Sequence, residues 1–170
     1  VTAREVLDEV GRDAFRFFIL MHDANTHMDF DLELAREKSN KNPVFYVQYA
    51  HARIASILAK SKVKRESFAS KGQKSKVNYG LLTNNYEIDL IKQITRLPEL
   101  VEDVSQSFAV HQLTTYSVSI ADLFHKFYEN CRVISADKEL SAARLELVKA
   151  VRISLANTLH LIGVSAPDKM

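Results

Sequence analysis

Glycine and proline are scarce in this chain, with four and three copies among 170 residues. Tight turns depend on these two residues, so a turn-rich all-β fold is excluded. Hydrophobic residues make up 46% of the chain and charged residues 26%, a balance that excludes intrinsic disorder. Alanine, leucine, glutamate, lysine and arginine are abundant, and they favour helix. We therefore expect one all-α domain.

Cysteine and long apolar runs are also nearly absent. The one cysteine, Cys131, has no disulfide partner in the chain, and it falls on an apolar helix face, which predicts a buried thiol. Such cysteine usage is typical of intracellular proteins, and we expect a cytoplasmic location. No apolar run reaches the ~18 residues of a membrane helix, so no membrane partner is expected. The net charge of +2 neither requires nor excludes a nucleic-acid partner.

Motifs for catalysis and metal binding are missing from the sequence. There is no phosphate-binding glycine-rich loop, no GxSxG elbow and no HExxH helix. None of the six histidines is spaced from another histidine or from the cysteine as metal ligands are. We expect no catalytic residue and no metal site in this chain.

Apolar residues recur with the helical period along most of the chain. They predict helices over about 2–11, 14–22, 31–39, 43–60, 84–108 with a break at Pro98, 111–133, and 137–162. Capping residues support three of these starts, namely Thr2 with Glu5, Asn42 before Pro43, and Asn84 with Glu87. Three long helices and several short ones predict a helical bundle.

The segment 60–80 lacks this period and is rich in lysine, serine and glycine, so we expect a mobile basic loop. The lysine and arginine side chains at the start of this segment can neutralise the phosphates of a nucleic acid, and such binding would weaken as the salt concentration rises. A solvated loop kept soluble by lysines is the alternative. The candidate phosphate contacts are Lys60, Lys62, Lys64 and Arg65.

Three side chains of the helix predicted over 43–60 share one strip of its surface. At ~100° per residue, Tyr46, Tyr49 and Arg53 fall within an arc of roughly 60°. Aromatic rings and guanidinium planes stack on unpaired bases, at about 1–3 kcal/mol per base. The alternative is that both tyrosines pack on a neighbouring helix with Arg53 at its edge. Farther along, Tyr128 lies beside an apolar helix face, a position that suits either core or contact.

Several segments, in this order, resemble arginyl-tRNA synthetases. They are GRDAFRFF (11–18), DFDL (29–32), NPVFYVQYAHAR (42–53), FYENCRV (127–133) and LIGVSAPDKM (161–170). The first contains Asp13-Ala14-Phe15-Arg16, similar to the Asp-Ala-Leu-Arg signature of this class of anticodon-binding domain, with Phe15 where leucine is usual. The resemblance covers essentially the whole chain. It implies the helical bundle of the anticodon-binding domain of class Ia aminoacyl-tRNA synthetases.

The resemblance also implies a function, which is recognition of the tRNA(Arg) anticodon loop by the C-terminal part of an arginyl-tRNA synthetase. Residues that match anticodon-contacting positions of the family are Tyr46, Tyr49, Arg53, Tyr128 and Met170. Residues 1–30 would connect to an N-terminal catalytic domain, and 31–170 would form the anticodon-binding domain. The alternatives are the corresponding domain of another class I synthetase, or a helical protein-interaction module.

The family's two catalytic signatures, the HIGH and KMSKS-type motifs, do not occur in this sequence. The resemblance therefore implies that this chain is not an enzyme on its own and holds no cofactor. ATP and arginine would bind the catalytic domain, which is missing here. The expected partners are tRNA(Arg) and that catalytic domain.

Overall fold

The computed structural model describes residues 2–68 and 77–170, and it describes side chains for 2–61 and 77–170. All regular secondary structure in these residues is helical, which confirms the predicted all-α bundle. The helices are α1 (Ala3–Val10), α2 (Arg12–Leu20), α3 (Leu32–Arg36), α4 (Pro43–Phe68), α5 (Asn85–Thr95), α6 (Leu97–Ser107), α7 (His111–Asn130) and α8 (Lys138–Leu161). A 3-10 turn, Tyr79–Leu81, precedes α5.

Side-chain caps set where the helices begin. The two predicted capping boxes are present, at the starts of α1 and α5. Asn42 is buried, and its Oδ1 accepts from the Val44 N–H at 3.1 Å at the start of α4. Its Nδ2 donates to the carbonyls of Ala35 and Glu37 at 3.0 and 2.9 Å. One asparagine therefore fixes the start of α4 against the end of α3.

The mobile loop predicted over 60–80 is corrected in its first part, because α4 continues past Lys60 to Phe68. Lysine, arginine and glutamate are good helix formers, and no glycine or proline interrupts the chain before Gly72. A helix can continue through good helix formers without an apolar stripe, so the loss of the apolar period did not mark the end of α4. Residues 69–76 lie outside the described part of the chain.

The core lies where α4, α7 and α8 pack on one another, with α2 and α5 against them. Its largest fully buried side chains include Phe17, Ile54, Leu90, Phe124 and Phe127. The Cys131 thiol is buried, as predicted, and burial raises its pKa. Because α4 and α7 are held side by side, residues on their outer edges form one continuous surface.

The C-terminal tail is fastened by α2, through the residues of the signature sequence. The Asp13 carboxylate accepts from the Ser165 N–H at 3.2 Å, from the Ser165 hydroxyl, and from Gln48 Nε2 at 2.8 Å. Arg16 Nε donates to the Ile162 carbonyl. Both signature side chains thus connect the first helices to the last residues of the chain.

Replacing Gly163 by alanine is expected to lower the free energy of unfolding by about 1–2 kcal/mol or more. Gly163 has a φ of +70°, which costs an L-residue about that much. A Cβ there would also lie 2.5 Å from Arg16 Nε, so the Arg16 side chain that holds the tail would have to move. Urea denaturation measures the loss. Gly80, which lacks a positive φ, provides the matched alanine control, and an equal loss at both positions would refute this explanation.

Candidate nucleic-acid interface

Four of the residues predicted to bind RNA meet on the outer edge of α4 and α7. The guanidinium carbon of Arg53 lies 4.5 Å from the ring centroid of Tyr128 and 5.7 Å from that of Tyr49. Both distances are in the range of cation–π attraction. We call this surface, formed by Tyr46, Tyr49, Arg53, His125 and Tyr128, the aromatic patch. The helical period of α4 and the packing of α7 bring its members together.

His125 is a member of the patch that sequence reasoning missed. Its ring centroid lies 4.9 Å from that of Tyr46 and 6.1 Å from that of Tyr49, nearly parallel to the latter. Burial, together with the charge of Arg53, lowers its pKa, so the ring is neutral near pH 7. Its position three residues before Tyr128, which places both on one helix face, is the signal that could have identified it.

The two tyrosines of α4 differ in accessibility. The Tyr46 hydroxyl donates to Asp122 Oδ1 at 2.8 Å, and burial and this carboxylate raise the Tyr46 pKa well above its usual value. Tyr46 is partly buried, and it packs against the core and against the ring of His125. Tyr49 is 37% exposed, and its ring lies parallel to that of Phe45 at 6.2 Å. Tyr49 therefore offers the more open stacking surface.

A groove of about 540 Å³ adjoins Tyr128, between α4, the end of α7 and the segment that links α7 to α8. Its lining residues are Ile57, Lys60, Tyr128, Glu129, Asn130, Cys131, Arg132, Val133 and Ile134. Lys60, one of the predicted phosphate contacts, is exposed in this groove, so the structure places it next to the patch. Lys62, Lys64 and Arg65 continue α4, and their side chains lie outside those described.

The tail that carries Met170 runs along a different side of α4. Pro167 O is 2.8 Å from Nδ1 of the buried His51, and Asp168 Oδ1 is 2.6 Å from a terminal nitrogen of Arg152. His51 lies roughly 140° around α4 from Tyr46. Burial lowers the His51 pKa, so this histidine is neutral and its Nδ1–H donates to the tail. Met170 is 57% exposed, and its membership of the patch stays a prediction.

Within residues 2–68 and 77–170, no three histidine, cysteine, aspartate or glutamate side chains are arranged to hold a metal ion. No helix in those residues is both long and apolar enough to cross a membrane.

A helical bundle that presents stacked aromatic rings and a guanidinium on one face has the features of a module that binds single-stranded nucleic acid. Comparison with known families defines the class more closely, because the DALR anticodon binding domain model matches residues 47–170, more than half of the chain. This chain belongs to the DALR anticodon-binding family.

The chain is similar over its whole length to arginine–tRNA ligases, which confirms the resemblance found in the sequence. It is 48% identical to the enzyme of Dehalococcoides mccartyi and 47% identical to that of Moorella thermoacetica. Each match covers 100% of this chain and 30% of the relative, so the chain spans about a third of their length.

Solved arginyl-tRNA synthetase structures share the fold. The arginyl-tRNA synthetase of Thermus thermophilus has a TM-score of 0.76 and 26% identity, over 99% of this chain and 30% of that one. The arginyl-tRNA synthetase of Plasmodium falciparum has a TM-score of 0.72 and 25% identity, over 93% of this chain and 26% of that one. Nearly all of this chain therefore corresponds to one part of a larger synthetase fold.

Proposed function

We propose that this chain recognises the anticodon loop of tRNA(Arg) as part of an arginine–tRNA ligase. The observation that carries the proposal is the placement of Arg53 over Tyr49 and Tyr128, on two helices, at one accessible surface. Membership of the anticodon-binding family and the names of the relatives indicate which RNA this surface would meet.

The aromatic patch would stabilise unstacked bases, because its rings take the place of the adjacent bases on which they stack in free RNA. A base of the loop leaves its stack and rests on Tyr49, and a second base rests against Tyr128, at about 1–3 kcal/mol for each. Arg53 lies between the two rings and supplies two parallel donors for a phosphate or a base edge. Neutral His125 supports both tyrosines of α4 without placing a second positive charge beside Arg53.

The remaining parts of the synthetase reaction would take place outside this chain. ATP and arginine would bind the catalytic domain, and this chain would orient the tRNA toward it without doing chemistry of its own. Exposed apolar side chains on α1 and at the end of α2 offer that domain a contact surface, since Leu7, Ile19 and Met21 are each more than a third exposed. We propose that this chain recognises its tRNA in the cytoplasm. Met170, at the end of the tail, would contact the same loop.

The proposal is tested by a binding panel at two salt concentrations. Fluorescence anisotropy with labelled anticodon stem-loops of tRNA(Arg) and tRNA(Cys) should show a preference for the arginine loop of about tenfold or more, equal to ~1.4 kcal/mol. Affinity should fall as salt rises, because phosphate contacts release counterions. Preference for the cysteine loop would favour another class I synthetase. Binding of a protein partner that requires no RNA and does not change with salt concentration would favour a protein-interaction module.

A further inference from the structure

We propose that His51 and Arg152 are positioning residues for the C-terminal tail, residues 164–170. They hold the tail between α4 and α8, and so they fix the direction in which Lys169 and Met170 leave the bundle. This inference rests on the proposed function, because it concerns how the end of the tail is presented to the anticodon loop. Neither anchor needs to touch the RNA itself.

The tail follows one face of α4 and runs in the same direction as that helix. The Ser165 carbonyl accepts from Gln48 Nε2 at 3.0 Å, and the Pro167 carbonyl lies 2.8 Å from His51 Nδ1. Gln48 and His51 are three residues apart, the spacing of neighbours on one helix face. Because both partners advance together, the tail is led along α4 toward the C-terminal half of the helix.

His51 is the firmer of the two anchors. Its side chain is 2% exposed, and its Nδ1–H donates to the Pro167 carbonyl. If the tail left, this buried donor would lose its partner, which costs more than an ordinary hydrogen bond contributes. The ring of Pro167 already fixes the φ of that residue. With its carbonyl held as well, the backbone at Pro167 keeps little freedom.

Arg152 acts one residue later. Its Nη2 lies 2.6 Å from Asp168 Oδ1, and this hydrogen bond lowers the pKa of Asp168, so the carboxylate is charged near pH 7. The pair is exposed and by itself adds little to stability. Its effect on the tail is one of direction, because it turns the chain toward α8 immediately before Lys169. Met170 follows with 57% of its surface exposed, available to a ligand.

An anchored tail binds RNA at a lower entropic cost than a loose one. Ordering a flexible segment on binding consumes part of the interaction free energy. With Pro167 and Asp168 already held, only Lys169 and Met170 remain to be ordered. The anchors therefore raise RNA affinity through the tail, and their loss should weaken binding without removing any contact to the RNA.

Methyl NMR shows, without RNA, whether the anchors hold the tail. Ala166 is the reporter, because it is partly buried and packs against the core. The full-length protein that carries this chain would be labelled at its alanine methyl groups, and the Ala166 signal assigned with Ala166→Ser. In His51→Leu and in Arg152→Leu, we expect this signal to move toward the position of a disordered alanine. Both leucines keep apolar packing at the replaced side chain.

Two rescue variants distinguish positioning from a general loss of structure. In His51→Asn, the amide nitrogen can occupy the place of Nδ1 and donate to the Pro167 carbonyl. Arg152→Glu combined with Asp168→Arg reverses the exposed pair while keeping its attraction. Both should return the Ala166 signal toward its wild-type position, whereas Arg152→Glu alone should not.

A double-mutant cycle shows whether the anchors act through Met170. By fluorescence anisotropy, Arg152→Leu should bind a tRNA(Arg) anticodon stem-loop about two- to tenfold more weakly, as for the ordering of one more flexible side chain. In a Met170→Ala background the same change should have little effect, because the end of the tail no longer contributes. Lys149→Leu removes an exposed cation one turn earlier on α8, and this control should bind as the wild type does.

The outcomes separate this inference from the proposed function. An unchanged Ala166 signal in both leucine variants would overturn the positioning role, whatever the RNA results. A displaced signal with wild-type RNA affinity, alongside weaker binding by Arg53→Ala, would also overturn it and leave the aromatic patch as the binding surface. A loss in Arg152→Leu that is equally large in the Met170→Ala background would assign the effect to Arg152 itself. Wild-type binding by both Arg152→Leu and Arg53→Ala would contradict the proposed function as well.

Discussion

Replacing Arg53 by alanine is expected to weaken binding of the tRNA(Arg) anticodon stem-loop by roughly 5- to 150-fold, equal to about 1–3 kcal/mol. The guanidinium lies over both accessible rings of the patch, at 5.7 Å from the Tyr49 centroid and 4.5 Å from the Tyr128 centroid. Its removal takes away the positive charge and also the plane that holds the two rings at their spacing. The measurement is fluorescence anisotropy with the full-length protein at fixed salt.

Two variants show whether the effect belongs to the patch. Arg96→Ala removes an exposed arginine between α5 and α6, near Tyr116 in the first half of α7 and far from Tyr128. It should bind RNA as the wild type does. Arg53→Lys keeps the charge but loses the plane, and it should give an intermediate affinity. If Arg53→Ala and Arg96→Ala weakened binding equally, general electrostatic attraction would replace the patch as the explanation.

Replacing Arg144 by alanine is expected to lower the free energy of unfolding by about 3–5 kcal/mol, the usual cost of removing one partner from a buried ion pair. Its partner Glu87 is only 1% exposed, and the Arg144 Nε to Glu87 Oε1 distance is 2.6 Å. Without the guanidinium, the carboxylate stays buried with the Asn84 N–H at 3.0 Å as its remaining donor. The Arg132 carbonyl loses its donor as well. Chemical denaturation measures the difference.

The exposed pair on α8 provides the control for this prediction. Lys149 is 3.1 Å from Glu146, but its side chain is 55% exposed, and Lys149→Ala should cost less than about 1 kcal/mol. Glu87→Gln in the Arg144→Ala background should restore part of the lost stability, because it removes the unpaired buried charge. Similar losses for Arg144→Ala and Lys149→Ala would show that Glu87 does not depend on its partner.

Most of the fold could be predicted because its determinants are local. The capping residues and Pro98 act within a few residues of their own helix, and the structure confirms the starts of α1, α4 and α5 and the break between α5 and α6. The predicted end of α4 was wrong because a lysine-rich helix and a lysine-rich loop can have the same composition. The position of the tail could not be predicted, since it depends on bonds from Asp13 and Arg16 to residues at the other end of the chain.

The part of the candidate site that lies on one helix could also be predicted from local sequence. Periodicity alone placed Tyr46, Tyr49 and Arg53 on one strip, because all three belong to α4. That Tyr128 joins them depends on how α7 packs against α4, which no local pattern contains, and it was expected only from the family resemblance. His125 was not predicted from the family resemblance, and only its spacing from Tyr128 could have pointed to it before the structure placed it in the patch.

Cross-linking tests most directly whether the anticodon loop rests on the aromatic patch. Anticodon stem-loops with 4-thiouridine at single loop positions would be irradiated in complex with the full-length protein, and the linked peptides identified by mass spectrometry. We predict cross-links within 45–53 and 124–132, and their loss in the Arg53→Ala variant. Cross-links confined to α1 and α2, around the exposed Ile19 and Met21, would contradict the account.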